Sequence, residues 1–101
     1  MNLGIMKQAL ELRSKMEKAQ KELAKKTVEV EEGKGAVRVV ANGHLRILEL
    51  HIDPSVVNPD KTKDLEKLVF KAVNEALDQA QDMAAKDLNQ ITGGLKIPGL
   101  T

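Results

Sequence analysis

The sequence predicts an α+β domain: one long helix, a three-stranded antiparallel meander, then a second long helix. Three observations predict it. Apolar side chains recur at alternating four- and three-residue steps at Ile5, Ala9, Leu12, Met16, Ala19 and Leu23, which places them on one helical face. A second helical pattern begins at Leu65 and runs to Leu88. Between the two, Thr27-Val28-Glu29-Val30-Glu31 alternates strictly, and the turn formers Gly33-Lys34-Gly35 and Asn42-Gly43 divide the rest into short β-type segments. At 101 residues the chain is one domain, residues 1–101.

The first helix is expected over residues 3–26, free of Pro and with Gly4 at its start, where it costs least. The sheet spans about residues 27–53, with a first strand from Thr27, a second from Ala36 to Ala41 and a third from His44 to Ile52. Asn42-Gly43 fits a two-residue type I′ hairpin turn. That turn would set Val40 opposite Leu45, Arg38 opposite Ile47 and Val37 opposite Leu48. Asp53-Pro54 ends the strand, and residues 55–60 form a loop or a single turn. The second helix is expected over residues 61–91, closed by Thr92-Gly93-Gly94, with a short apolar tail completing residues 92–101.

These lengths imply association. A 24-residue helix is about 36 Å long, whereas a globule of about 100 residues has a radius of gyration near 13 Å. Part of each helix must therefore project or meet a partner. The predicted register also gathers Val40, Leu45 and Ile47 on the sheet surface away from the helices, where polar residues are the norm. These three residues are the expected interface of a two-fold homodimer.

Composition removes whole classes of function. With no Cys there are no disulfides, thiolate metal sites or Cys nucleophiles. Phe70 is the single aromatic, so stacking platforms for single-stranded nucleic acid are excluded. His44 and His51 lie on opposite strand faces, and the Glu49, His51, Asp53 set reads as the wet side of a strand rather than a metal site. The glycines match no phosphate-binding fingerprint. The chain is not expected to be an enzyme or to carry a cofactor or metal. No apolar run reaches the length of a signal peptide or of a membrane span of about 20 residues, and a cytoplasmic location is expected.

The net charge of +1 conceals an uneven distribution. Residues 1–26 carry seven basic and three acidic groups, a balance of +4. Residues 27–60 carry three and six, giving −3, and residues 61–101 carry six of each. Lys7, Lys18, Lys21 and Lys25 share the helix face opposite the apolar stripe, with Lys15 and Lys26 on a flank. A projecting lysine ridge suits the phosphate backbone of duplex DNA. It brings charge without the forked recognition of guanine that Arg provides, so selectivity for sequence should be low. The same lysines alternate with Glu11, Glu17 and Glu22 at i, i+4 spacing, the pattern of an ordinary solvated face. Leu3, Met6 and Leu10 form a second apolar patch suited to a protein partner.

The whole chain resembles the YbaB/EbfC family of bacterial nucleoid-associated proteins. The resemblance is carried by Met16-Glu17-Lys18-Ala19-Gln20, Gly35-Ala36-Val37-Arg38-Val39, Asn42-Gly43, Ile52-Asp53-Pro54 and the tail Gly93-Gly94-Leu95-Lys96-Ile97-Pro98-Gly99-Leu100. It implies a tweezers-like homodimer with a sheet-based body and protruding helices. It implies double-stranded DNA as partner, location on the nucleoid, and influence on gene expression or DNA repair. Carried onto this chain, the DNA contacts would be Lys15, Lys18, Lys21, Lys25 and Lys26, with Lys63, Lys67 and Lys71 as secondary candidates. The alternative is a structural or adaptor dimer that acts through a protein partner.

Overall fold

Asn2 opens the first helix: its side-chain oxygen accepts the Gly4 N–H at 3.0 Å, satisfying a donor that the helix itself leaves unpaired. The computed structural model describes residues 2–92. Helix α1 is Leu3–Lys25, followed by strands β1 (Thr27–Glu32), β2 (Val37–Asn42) and β3 (Ile47–Ile52), then helix α2 (Thr62–Thr92). The predicted α+β order is therefore observed, with boundaries displaced by a residue or two at most elements. The connection to α2 is two short 3-10 turns, Pro54–Val56 and Pro59–Lys61. Asp53 and Asn58 cap them by accepting the N–H of Ser55 and Asp60 at 2.8 and 2.9 Å. The first of these bonds, with help from the Ser55 side chain, holds the Asp53 carboxyl below its ordinary pKa.

The sheet is antiparallel in the order β1-β2-β3. Val30 lies opposite Val39, and Val39 opposite Leu50, so Val30, Val37, Val39 and Ala41 present one apolar face. Helix α2 covers this face over β1 and β2 with Ala72, Ala76 and Ala80, all at 0% exposure. Alanines at four-residue steps bring the helix backbone close to the sheet, and Leu65, Leu68, Val69 and Val73 fill the flanks. The β1–β2 turn takes positive φ at Gly33, Lys34 and Gly35. A side chain at Gly33 would also meet Leu68 at 3.0 Å.

The second hairpin departs from the expected register. Ala41 pairs with Ile47 and Val40 with Glu49, with an irregularity between them that leaves Leu48 as the extra residue. The turn spans Asn42 to Arg46, not two residues. The Asn42 N–H donates to the Arg46 carbonyl at 3.0 Å, and Leu45 takes φ 61°. Asn42 causes this: buried at 5%, it uses its side-chain oxygen to accept the N–H groups of both His44 and Arg46. A wider loop satisfies these donors where a tight turn would not. The expected grouping of Val40, Leu45 and Ile47 on one face is therefore corrected. Val40 points away from α2 and is already buried, Leu45 belongs to the turn, and Ile47 lies on the α2 side of the sheet.

Helix α1 leaves the body at its last turns. Within α1 only Ala19 and Leu23 are buried, and every described residue before Ala19 except the half-buried Leu12 is exposed. The chain measures 70 × 24 × 18 Å with a radius of gyration of 19.3 Å, far from the roughly 13 Å of a globule this size. The 70 Å axis matches α2, about 46 Å long, extended by about 24 Å of projecting α1. The projection expected from helix length is observed. The apolar tail, Gly93 to Leu100 included, lies outside the described residues.

Candidate nucleic-acid interface

The lysine ridge stands on the projecting part of α1 and its root. Lys7, Lys15, Lys18, Lys21 and Lys25 are all exposed, and among the described residues none of them makes an ion pair within 4 Å. The i, i+4 lysine–glutamate pairs expected to neutralise the ridge do not close. The pair that does close within α1 is Arg13 with Glu17 at 3.1 Å, where the longer fork of Arg spans one turn. These lysines therefore keep their donors free for an external anion.

Lys26 stands apart. Its ammonium donates to Asp87 of α2 at 2.6 Å, and this contact raises its pKa above the ordinary lysine value. The bond ties the end of α1 to α2, so Lys26 acts as a strut before it can serve as a phosphate contact. Three more bonds complete the joint. The Gly43 N–H donates to the Leu23 carbonyl at 2.8 Å, the Asn42 amide donates to the Ala24 carbonyl at 3.2 Å, and the His44 ring contacts the Gln20 carbonyl. The direction of α1 is thus set by the β2–β3 turn.

The secondary lysines are not part of the same ridge. Lys63 and Lys67 occupy the start of α2, at the end of the body where Gly33 meets Leu68, whereas α1 leaves from the opposite end. Lys71 is 3.5 Å from Glu32. Within one chain, the two lysine sets are not brought together. Arg46 and His44, which no local pattern links with α1, are exposed in the turn that holds its root.

A second exposed surface is apolar. Helix α2 does not cover β3, so Ile47, Leu48 and Leu50 remain 39–50% exposed. Beside them, Ile52, Leu65, Val69, Phe70 and Val73 line an open groove of about 610 Å³, with Phe70 at 73% exposure. The only aromatic of the chain is thus on its surface. A monomer rarely leaves such a patch to water. Of these residues the sequence singles out only Ile47, because the exposure of the others depends on α2 stopping short of β3, which no local pattern encodes. Leu3, Met6 and Leu10 are exposed as well. Among the described residues no three His, Asp or Glu side chains converge on a metal-sized site, and Glu49 and His51 face away from α2.

Comparison with known proteins decides the family. The family model described as the YbaB/EbfC DNA-binding family matches residues 1–95. The chain belongs to the YbaB/EbfC DNA-binding family. Curated relatives of this family agree over nearly the whole length. A nucleoid-associated protein of Thermoanaerobacter sp. (strain X514) is 46% identical over 97 residues, covering 96% of this chain and 87% of the relative. One from Acetivibrio thermocellus is 48% identical over 98 residues, with the same coverage of 96% and 87%. The crystal structure of an uncharacterized Helicobacter pylori protein superposes with a TM-score of 0.74 at 16% identity, over 95% of this chain and 99% of that one. At that identity the likeness concerns the fold alone. The description of the YbaB/EbfC family is one of DNA binding and names no enzymatic activity. No described helix is long and apolar enough to cross a membrane.

Proposed function

We propose that this YbaB/EbfC member is a nucleoid-associated protein that binds double-stranded DNA as a homodimer. In this reading Lys15, Lys18, Lys21 and Lys25 of α1 contact the phosphate backbone with low sequence selectivity, and Lys26 lends charge from its strut to Asp87. The observation that carries it is the row of unpaired lysines on a helix that projects from the body. Ammonium groups held away from their own glutamates bind phosphates by releasing counterions, a sequence-independent attraction. The exposed β3 residues with Leu45, Ile47 and Phe70 form the homodimer interface in the same reading, and a two-fold pair presents the ridge twice. Such a dimer acts in the cytoplasm on the nucleoid, in gene expression or DNA repair.

A mobility-shift titration with a duplex of mixed sequence, at two salt concentrations, tests the proposal. The expected result is a shift that weakens steeply with salt and is lost in a variant carrying Lys18→Glu, Lys21→Glu and Lys25→Glu. No shift at low salt would overturn it. The exposure of Leu3, Met6 and Leu10 at the tip favours the second reading, an adaptor dimer with a protein partner. A partner lost on Leu10→Glu, with no DNA shift in either protein, selects that reading.

A further inference from the structure

We propose that Leu3 and Leu10, near the tip of α1, enter the major groove of the duplex and pack against thymine methyl groups. This rests on the reading above, in which the lysine face of α1 meets DNA. Both leucines are open to water, at 79% and 63% exposure. Neither belongs to the stripe that α1 turns to the body. At about 100° per residue, Leu10 lies about 140° around the helix from the buried Leu23, and Leu3 about 160°.

The two leucines lie on the lysine face instead. Leu3 is in line with Lys21 and Leu10 within about 20° of it, while Lys7, Lys18 and Lys25 fall within about 60°. The surface neighbours of a helical residue are those three and four positions away. For Leu3 they are Met6 and Lys7, and for Leu10 they are Met6, Lys7, Arg13 and Ser14. Neither set contains a carboxylate. Glu17, the next acid along that flank, is held by Arg13 at 3.1 Å. An apolar patch set among cations suits a polyanion that offers apolar groups of its own.

Shape narrows the contact to one groove. An α-helix with its side chains is about 10–12 Å across. The major groove of B-DNA, about 12 Å wide, admits it, whereas the minor groove, about 6 Å wide, does not. Base edges in the major groove offer polar atoms and one apolar group, the C5-methyl of thymine. That methyl is the chemical match for a leucine on the groove-facing side of α1. Lys18 and Lys21 follow on the same face about 12 and 17 Å beyond Leu10, placed to hold phosphates while the tip reaches the bases. The tip has room to enter, because α1 is buried only at Ala19 and Leu23, the nearer of them about 14 Å from Leu10. Methyl contacts favour thymine-rich duplex without fixing an order of bases, in keeping with lysines that lack the fork of Arg.

Fluorescence anisotropy of the full chain on two pairs of duplexes, all at one low salt concentration, tests this. In the first pair uracil replaces every thymine, which removes the methyl alone. In the second, 5-methylcytosine replaces every cytosine of a duplex of G·C pairs, which adds a methyl at the same place in the groove. The parent is expected to bind the uracil duplex at least about fourfold more weakly, and the methylated G·C duplex about fourfold more tightly, the effect of burying one methyl. In a Leu3→Ala/Leu10→Ala variant both differences should shrink below about twofold, with the salt dependence of the parent retained. Equal affinities of the parent within either pair overturn the proposal and leave phosphate binding by the lysines standing. Differences that persist in the variant overturn the assignment to Leu3 and Leu10. No binding of any of the four duplexes overturns this proposal together with the DNA-binding reading.

Discussion

The Gly43 N–H donates to the Leu23 carbonyl at 2.8 Å, and a Cβ placed on Gly43 would stand 2.8 Å from that same oxygen. The root of α1 is therefore pressed against the backbone of the β2–β3 turn with no room for a methyl group. Asn42, one residue earlier, fixes the turn with two bonds and the helix with a third. The joint depends on a few residues that are adjacent in sequence.

Gly43→Ala is expected to destabilise the protein by about 1–3 kcal/mol, because the methyl group meets backbone that cannot rotate away. Asn42→Ala should cost a similar amount, about 1–3 kcal/mol, by leaving the Ala24 carbonyl and two turn N–H groups without their partner. Urea denaturation followed by circular dichroism measures both.

Replacing an exposed apolar residue beside the Phe70 groove should affect assembly before it affects folding. Leu50→Asp and Phe70→Asp are each expected to convert a two-chain particle into a one-chain particle in light scattering. The helical circular dichroism signal should stay within about a tenth of the parent value, since neither side chain is in the core.

The lysines should differ in their effect on DNA. Lys18→Gln and Lys25→Gln are each expected to lower the slope of log affinity against log salt by about one, the loss of one phosphate contact. Lys26→Gln should change the slope less and stability more, because its ammonium is engaged by Asp87. Affinity measured by fluorescence anisotropy over a range of salt separates the two behaviours.

Glu75 offers a pH prediction. A hydrogen bond with Glu32, then loss of water and the charge of Glu32, raise its carboxyl above the ordinary value of 4.5, against the pull of Lys71. The folded chain thus keeps a proton that the unfolded chain has released. Stability contributed by this proton is present below pH 4.5 and is lost as pH rises through the elevated pKa. Glu75→Gln should flatten the fall in stability above that pH and leave the protein more stable than the parent at neutrality. Thermal melts at closely spaced pH values provide the check.

Much of this architecture was legible because it is encoded locally. The four–three spacing of α1, the alternation of β1 and the turn residues each specify their own segment, and the length of α1 alone required a projection. The hairpin register was not legible, because Asn42 could complete a tight turn or widen one. Its choice depends on the Ala24 carbonyl, 18 residues away. The lysine ridge could be read from helical periodicity. The detachment of Lys26 from it could not, since Asp87 is 61 positions distant. Ile47 was misplaced for the same reason as the register: one extra residue in β3 reverses which neighbours share a face.

The joint at Gly43 holds α1 by one end only, which makes the helix a cantilever. Rocking it by about 10° at the root moves a tip about 35 Å away through about 6 Å. That is about the width of a DNA minor groove. In a two-fold pair both arms would swing, so small adjustments among Leu23, Ala24, Asn42 and Gly43 would set how wide a duplex the pair can span.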